Sequence, residues 1–309
     1  MFKAYLNLTL AMVIVGSSVV AGKIMVDQLP IYFSSAFRFL IASLIIVPIL
    51  YLREGGLPKL SRRSWFILGI QALCGSFLFT VFLLSGLSMI STASAGIITS
   101  TTPAFMGIIG WFFFKEHPSG RIIAGIVLSM IGVMILNVAG TGGFAGSSLL
   151  GNLLVLAAVA AESMFLLFRK WIPETLSPLA ATTIISVFGF VWFLPAGIYD
   201  LLTVDLTTAG PVAWIAVVYY GVVVTVLAYL FWFAGIVSVH ASVASVFTGV
   251  MPLSAVALSA LILGEKLQWF HYAGCLFVLS GIFLISGISS AGFKFRFKRK
   301  EPVTTSASD

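Results

Sequence analysis

Two charged side chains interrupt long apolar stretches of the sequence and are the first candidates for chemistry. Glu162 precedes the basic pair Arg169 and Lys170 by about two helical turns, and Arg38 stands in the segment FRF. If these stretches span a membrane, a carboxylate at Glu162 costs ~2.5 to 3.5 kcal/mol, so it must face a cavity or carry a proton. A protonatable group there suits a proton-coupled carrier, and the alternative is a structural bond to a polar neighbour. Arg38 can bind a carboxylate through two parallel hydrogen bonds, or it can reach the membrane interface and bond a carbonyl at a helix end.

Hydroxyl residues and a proline recur together in two apolar stretches. One stretch contains Ser94, Thr101 and Pro103, and the other contains Ser245, Thr248 and Pro252. At helical spacing, hydroxyl residues within each stretch share a face. A proline removes one backbone hydrogen bond, and inside a membrane this is tolerated where the break borders a cavity or where neighbours satisfy the freed carbonyl. Both faces are therefore predicted to form the wall of a cavity, although close helix packing uses the same residue types.

A few further polar side chains in apolar stretches, Gln71 and Tyr229 with Tyr219 and Tyr220, are candidates to orient a solute in an apolar pocket. The three histidines lack metal-ligand spacing, and the sequence contains no phosphate-binding loop and no nucleophile with a matching base. The two cysteines lie in apolar stretches, where thiols behave as small hydrophobic groups. We therefore predict no catalytic residue, no cofactor and no metal site, and we do not expect an enzyme.

The composition indicates a membrane protein. Of the 309 residues, 60% are apolar and 9% are charged, whereas soluble chains carry about 25% charged residues. The mean hydropathy is +1.13, and apolar blocks near the ~20 residues that span ~30 Å of hydrocarbon recur along the chain. Ten spans are predicted, at residues 5–25, 33–52, 65–87, 92–113, 119–138, 149–171, 178–198, 211–234, 240–263 and 269–289.

Basic residues fall mostly on one side of these spans. With the N-terminus inside, 14 of the 17 Lys and Arg residues lie on inside segments, which is a strong positive-inside bias. They are Lys3, Arg53, Lys59, Arg62, Arg63, Lys115, Arg121, Arg169, Lys170, Lys294, Arg296, Lys298, Arg299 and Lys300. The sequence thus predicts a multi-pass plasma-membrane protein with both termini cytoplasmic, and this distribution explains the net positive charge without a nucleic-acid partner.

The chain also matches itself at a constant offset of 149 residues. Each copy places a proline near the middle of its fourth span, a glutamate at the end of that span, and two glycines in its fifth. The pairs are Pro103 and Pro252, Glu116 and Glu265, Gly125 and Gly274, and Gly132 and Gly281. Because five spans is an odd number, the second copy crosses the membrane in the opposite sense, and such inverted repeats are characteristic of secondary transporters.

The repeated glutamates and glycines allow simple structural interpretations. Glu116 and Glu265 end their helices just before new ones begin, so each is predicted to stabilise the N-terminus of a helix. The paired glycines permit close backbone approach. They predict a tight helix pair, between the two halves of the chain or between two protomers of a homodimer.

Several segments together resemble a known family. They are GSSVVAGKIMVDQLP leading into SAFRFLIASL, and SAGIITSTTPAFMGIIGWFFFKE with its echo SVASVFTGVMPLSAVALSALILGEKL. Over residues 4–288 the chain resembles the EamA-type transporters of the drug/metabolite transporter superfamily, whose members often carry an arginine at the place of Arg38. Val15 departs from the pattern, since many relatives have a tryptophan there. The resemblance implies small-molecule transport, often export of amino acids or other metabolites by bacteria.

We therefore expect an all-α integral membrane protein with a five-helix repeat over residues 1–139, an inverted repeat over 140–290 and a basic cytoplasmic tail over 291–309. The expected activity is alternating-access transport of a small polar metabolite, an amino acid or a related compound, with export as the expected direction. A proton is the candidate coupling ion, and membrane lipids are the expected surroundings. A nucleotide sugar or a lipophilic drug is an alternative cargo, and a non-transporting structural or regulatory protein is an alternative class.

Overall fold

The computed structural model describes residues 1–26, 28–87, 89, 98–99, 101–138, 148–172, 175–206, 209–263 and 269–286. Regular structure in these ranges is helical throughout. The first five helices are α1 (Phe2–Val26), α2 (Ile31–Glu54), α3 (Arg62–Ala72, Leu73–Leu78 and Phe79–Leu87), α4 (Thr102–Phe114) and α5 (Gly120–Val138). The second five are α6 (Leu149–Phe168, extended by Arg169–Trp171), α7 (Pro178–Thr203), α8 (Pro211–Tyr219, Tyr220–Leu227 and Ala228–Ile236), α9 (Ala241–Phe247 and Val250–Leu263) and α10 (Trp269–Ser286).

Length and composition suit these helices to a membrane. Five of them, α2, α3, α6, α7 and α8, are each long and apolar enough to cross a bilayer, and the other five contain apolar segments of 10–17 residues. The prediction of an all-α membrane fold with ten helices is confirmed.

The ends of α2 and α7 are tied to each other by polar contacts. Ser177 caps α7 by accepting a hydrogen bond from the backbone N–H of Ala180 at 2.9 Å. The hydroxyl of Ser177 also donates to Glu54, the last residue of α2, at 2.8 Å. At the opposite ends, the N–H of Phe33 in the first turn of α2 donates to Asp200 in the last turn of α7 at 3.0 Å. An acid near the end of each helix therefore contacts the first turn or cap of its counterpart.

The contacts between helices are symmetric between the two halves, with α1–α5 as the counterparts of α6–α10 in order. α2 packs along α7, α5 along α10, and α4 against α9. α1 contacts α8 and α9, while α6 contacts α3 and α4. Swapping each helix of one half for its counterpart in the other converts this set of contacts into itself. This pattern is that of two five-helix units related by a pseudo-two-fold axis.

Glycines bring α5 and α10 into direct backbone contact. A Cβ atom at Gly132 would lie 2.7 Å from the carbonyl oxygen of Gly274, and one at Gly281 would lie 2.7 Å from that of Gly125. The prediction of a tight helix pair is confirmed, and the pair joins the two halves. A homodimer stays a prediction.

Replacing Gly132 by alanine is expected to destabilise the protein by about 1–3 kcal/mol, because the new methyl group meets backbone that cannot move aside cheaply. The measurement is thermal unfolding of purified protein in detergent. Gly120→Ala, on the same helix but with nothing within 4 Å of the added Cβ, is the matched control and should leave the melting temperature unchanged. Equal melting temperatures for the two variants would contradict the close contact.

Candidate functional site

Helical segments of α4 and α9 begin at matching points near the centre of the bundle. α9 ends at Phe247 and resumes at Val250, and α4 starts at Thr102 directly after a turn at Thr101. The sequence analysis predicted both prolines near the middle of a helix, and this prediction is wrong. Pro103 and Pro252 lie in the first turns of helical segments. A proline fits there because the first N–H groups of a helix have no intrahelical acceptor.

Hydroxyl groups add hydrogen bonds to backbone carbonyls at both points, where the same carbonyls also accept the backbone N–H of Thr101 or Thr248. The hydroxyl of Thr101 donates to the carbonyl of Ile98, and that of Thr248 to the carbonyl of Ser245, both at 2.6 Å. The carbonyl that loses its N–H donor to Pro103 is that of Thr99, four residues earlier, and the hydroxyl of Thr102 donates to it at 2.8 Å.

A cavity of about 300 Å³ lies between the two halves at this level. Residues of α1, α2, α3 and α4 line it from the first half, and residues of α6, α8 and α9 line it from the second. Six of the predicted site residues border this cavity: Arg38, Pro103, Glu162, Tyr229, Thr248 and Pro252. The sequence pattern and the geometry therefore converge on one location.

Arg38 and Glu162 bring opposite ionisable groups to the cavity from different halves. The Cζ atom of Arg38 lies 4.4 Å from the centroid of the Phe39 ring and 4.5 Å from that of the Tyr220 ring. Its Nε atom is buried without a hydrogen-bond acceptor. The Glu162 carboxyl group lines the cavity beside Thr102, whose hydroxyl donates to the carbonyl of Thr99 at 2.8 Å. Neither Arg38 nor Glu162 forms an ion pair with another residue of the described ranges.

Aromatic side chains form much of the remaining wall. The ring of Tyr229 packs against Phe165 at a centroid distance of 5.3 Å. Phe165 in turn presses on Gly75, where an added Cβ would overlap its ring, and the indole N–H of Trp232 donates to the carbonyl of Leu166 at 3.0 Å. A few polar groups in an otherwise apolar and aromatic wall are typical of a small-molecule site.

Three other predicted site residues lie away from the cavity wall. The side-chain nitrogen of Gln71 donates to the carbonyl of Phe165 at 2.6 Å, and Gln71 is fully buried. Ser245 is also fully buried and donates to the carbonyl of Ser242 at 2.8 Å, and Thr101 is committed to the carbonyl described above. The side chains of all three donate hydrogen bonds to backbone carbonyls. A polar side chain in an apolar interior needs such a partner when no ligand is within reach. Ser94 lies outside the described residues.

A second polar cluster connects the ends of α4, α6 and α9. The carboxylate of Glu116 accepts hydrogen bonds from the backbone N–H groups of Ala241 at 2.8 Å and Ser242 at 3.1 Å. It forms an ion pair with Lys170 at 3.4 Å, and it lies 3.4 Å from the Nδ1 atom of His240. We call these five residues the Glu116 cluster. Glu116 thus caps the start of α9 in the other half, and not the start of α5, the helix that follows it in the chain.

The surroundings of Glu116 favour its charged form. Burial alone would raise the pKa of this carboxyl group, but the two backbone N–H donors and the positive charge of Lys170 outweigh it and lower the pKa below its ordinary value. The Glu116 carboxyl group is therefore ionised at neutral pH.

Sequence comparison decides the family. The EamA-like transporter family model matches residues 2–138 and, a second time, residues 149–287. The chain belongs to the EamA-like transporter family. Each match covers one of the two helical halves, in agreement with the repeat. As an EamA-like protein, the chain is an integral membrane transporter.

Relatives of this EamA-like protein cover nearly its whole length. The "Uncharacterized transporter YetK" of Bacillus subtilis is 41% identical over 91% of this chain and 86% of its own length. The "Probable amino-acid metabolite efflux pump" of Salmonella typhimurium is 25% identical over 93% of this chain and 94% of its own. A solved crystal structure superposes with a TM-score of 0.77 at 19% identity over 92% of this chain and 98% of that one, which shows the fold alone.

Sequence patterns did not reveal two features of this EamA-like site. The first is a π-helical segment in the third helix of each half, Leu73–Leu78 in α3 and Tyr220–Leu227 in α8, both bordering the cavity. The second is the pair of rings beside Arg38. Glycines at the two π segments, Gly75 and Gly221, were an available signal, because each lets a neighbouring helix approach closely there. Such π segments are frequent at functional sites.

Proposed function

We propose that this EamA-like protein exports a small carboxylate-bearing metabolite, an amino acid or a related compound, by alternating access. The observation that carries the proposal is the placement of Arg38 and Glu162, one from each half, at one cavity without a protein counter-ion in the described ranges. A site between the halves of an inverted repeat can open to either side of the membrane in turn.

The chemistry of the cavity supports a small anionic or zwitterionic solute. An uncompensated guanidinium favours a solute that brings its own carboxylate, since charge-assisted bidentate hydrogen bonds are strong. A volume of about 300 Å³ is at the lower end of the range for small-molecule sites. The name of the Salmonella typhimurium relative, "Probable amino-acid metabolite efflux pump", supports both the class of solute and the direction.

Access to the cavity from the cytoplasm would be controlled by the Glu116 cluster. In the orientation expected from the basic residues, this cluster lies on the cytoplasmic side and joins α4 of the first half to α6 and α9 of the second. For the cavity to open inward, these contacts must separate. The orientation predicts that reporters placed after Asp309 and within residues 141–147 lie on opposite sides of the plasma membrane; reporters on the same side would contradict it.

Counterflow in proteoliposomes tests the proposal. Vesicles containing the purified protein are preloaded with one of the common amino acids at a time, and entry of the labelled form is measured. At least one amino acid is expected to exchange, and Arg38→Gln is expected to lower kcat/KM for it on the order of 100-fold, because the carboxylate then lacks its charged partner. Arg53→Gln, at the exposed end of α2, should exchange normally. Absence of counterflow for every amino acid by the wild type would contradict the proposal.

A further inference from the structure

The position of Arg38 is fixed by a ring on its own helix. Phe39 is fully buried, and its ring stacks on Phe193 with centroids 6.0 Å apart. One turn earlier on the same helix, α7, a Cβ atom at Gly189 would lie 2.8 Å from the Phe39 ring. With neighbours this close, the Phe39 ring has no room to turn away, so it presents a fixed face to the guanidinium 4.4 Å from its centroid.

A second ring reaches Arg38 from the other half of the protein. Tyr220 is the first residue of the π segment of α8, and the next residue, Gly221, touches α2 so closely that a Cβ there would lie 2.8 Å from the carbonyl oxygen of Arg38. The backbone of Tyr220 is held in turn by a hydrogen bond from Thr225 to its carbonyl at 3.1 Å. The glycine contact therefore sets the Tyr220 ring 4.5 Å from the guanidinium.

Aromatic faces attract the guanidinium without using its hydrogen-bond donors. The attraction acts between the cation and the ring quadrupole, and it is strongest where water is excluded. The planar group keeps its N–H edge free, and that edge matches the two oxygens of a carboxylate. The unpartnered Nε atom is consistent with such unused donors. A neutral amide in the same place would give the guanidinium one acceptor oxygen and leave donors unpaired.

We infer that Phe39 and Tyr220 are positioning residues that hold the Arg38 guanidinium ready for a planar carboxylate and thereby make the transporter select acids over the corresponding amides. This inference rests on the proposed function, since it concerns the same cavity. It adds that selectivity depends on the two rings beside the guanidinium, of which Tyr220 also borders the cavity, and that it arises only when α8 lies against α2. The anion site is thus built jointly by the two halves of the repeat.

The test compares one amino acid with its own primary amide. The probes are the amino acid that exchanges best in the counterflow panel and its carboxamide, which keeps the ammonium group and side chain but lacks the negative charge. Wild-type protein is expected to prefer the acid on the order of 100-fold in kcat/KM. Tyr220→Leu is expected to raise KM for the acid about tenfold while leaving that for the amide unchanged. Tyr220→Phe, which keeps the ring, should restore the preference, and Arg38→Lys should not.

A control and a second variant separate positioning from folding. Tyr5 does not line the cavity, and its ring packs on that of Phe247 with centroids 5.2 Å apart. Tyr5→Leu should therefore leave the acid-to-amide ratio of kcat/KM unchanged. If Tyr220→Leu does not yield folded protein, Tyr220→Met is measured in its place. A ratio that is unaltered in the ring-less variant, or equal losses for acid and amide, would overturn the inference. Equal transport of acid and amide by the wild type would also overturn it while sparing the proposed function, whereas no transport of either would overturn the proposed function itself.

Discussion

Replacing Glu162 by glutamine is expected to abolish pH-gradient-driven accumulation of the solute and to leave exchange intact. Glutamine keeps the size and hydrogen bonding of the side chain but cannot bind and release a proton. Glu162 is the one carboxylate among the described residues that line the cavity, so it is the leading site for a coupling proton. A gradient of one pH unit supplies about 1.4 kcal/mol per proton, or about tenfold in concentration, and the variant should lose an accumulation of that order for each unit of the imposed gradient.

Proteoliposomes with an imposed pH gradient measure this effect, with counterflow as the second readout. Glu162→Asp keeps a titratable group and should retain coupling. Ser163→Ala removes a neighbouring hydroxyl that is bonded to the carbonyl of Val159 at 2.8 Å and should have no effect on coupling. Full accumulation by Glu162→Gln would exclude Glu162 as the coupling residue. Loss of both accumulation and exchange would instead indicate that the Glu162 carboxylate binds the ammonium group of the solute.

The fold follows from the sequence because membrane burial leaves strong signals. Apolar blocks of spanning length set the number of helices, and the repeat at a constant offset sets their pairing. The same physics identified Arg38 and Glu162, since an ionisable group inside an apolar helix is costly unless it faces a cavity. Gly132 and Gly281 could be assigned to a close helix contact because only a residue without a side chain permits such an approach.

The remaining parts of the site depend on helix rotation, which composition does not specify. Gln71 and Ser245 are the same kinds of residue as those that line the cavity, yet each turns toward a backbone carbonyl. The π segments shift the phase of α3 and α8, so positions counted at ordinary helical spacing point elsewhere after Leu78 and Leu227. Likewise, the chain order alone suggested that Glu116 supports the following helix, whereas its acceptor oxygens meet a helix from the other half.

Replacing Glu116 by glutamine is expected to weaken closure of the cytoplasmic side. The side chains of Glu116 and Lys170 are 8% and 14% exposed, so water screens the pair weakly. Lys170 also donates to the carbonyl of Val239 at 2.6 Å, which holds its charge in place when the anion is removed. Breaking one partner of a buried pair costs about 3–5 kcal/mol, and a cost of that size would favour the open arrangement by at least on the order of 100-fold.

The pH dependence of this closure follows from the lowered pKa of Glu116. A carboxyl group whose pKa is lower in the folded protein than in the unfolded chain stabilises the closed form at any pH above its pKa in the unfolded chain. This stabilisation is lost as the pH falls through the pKa in the folded protein. The contacts of the Glu116 cluster should therefore stay intact at neutral pH and separate only at a pH below the ordinary carboxyl pKa of 4.5. Glu116→Gln should remove this acid-sensitive step.

Labelling of a cavity cysteine from the cytoplasmic side measures the opening. In a background with Cys74 and Cys275 replaced by alanine, Leu166→Cys places a thiol on the cavity wall. An impermeant maleimide added to inside-out vesicles should react at least about tenfold faster when Glu116→Gln is present, because the closed population falls. Glu54→Gln is the matched control: it removes an acid from the end of α2 that bonds Ser177 at an exposed position, where such contacts contribute little. If Glu116→Gln labels at the wild-type rate and transports normally, the Glu116 cluster is a helix cap alone, and closure must depend on other contacts between the halves.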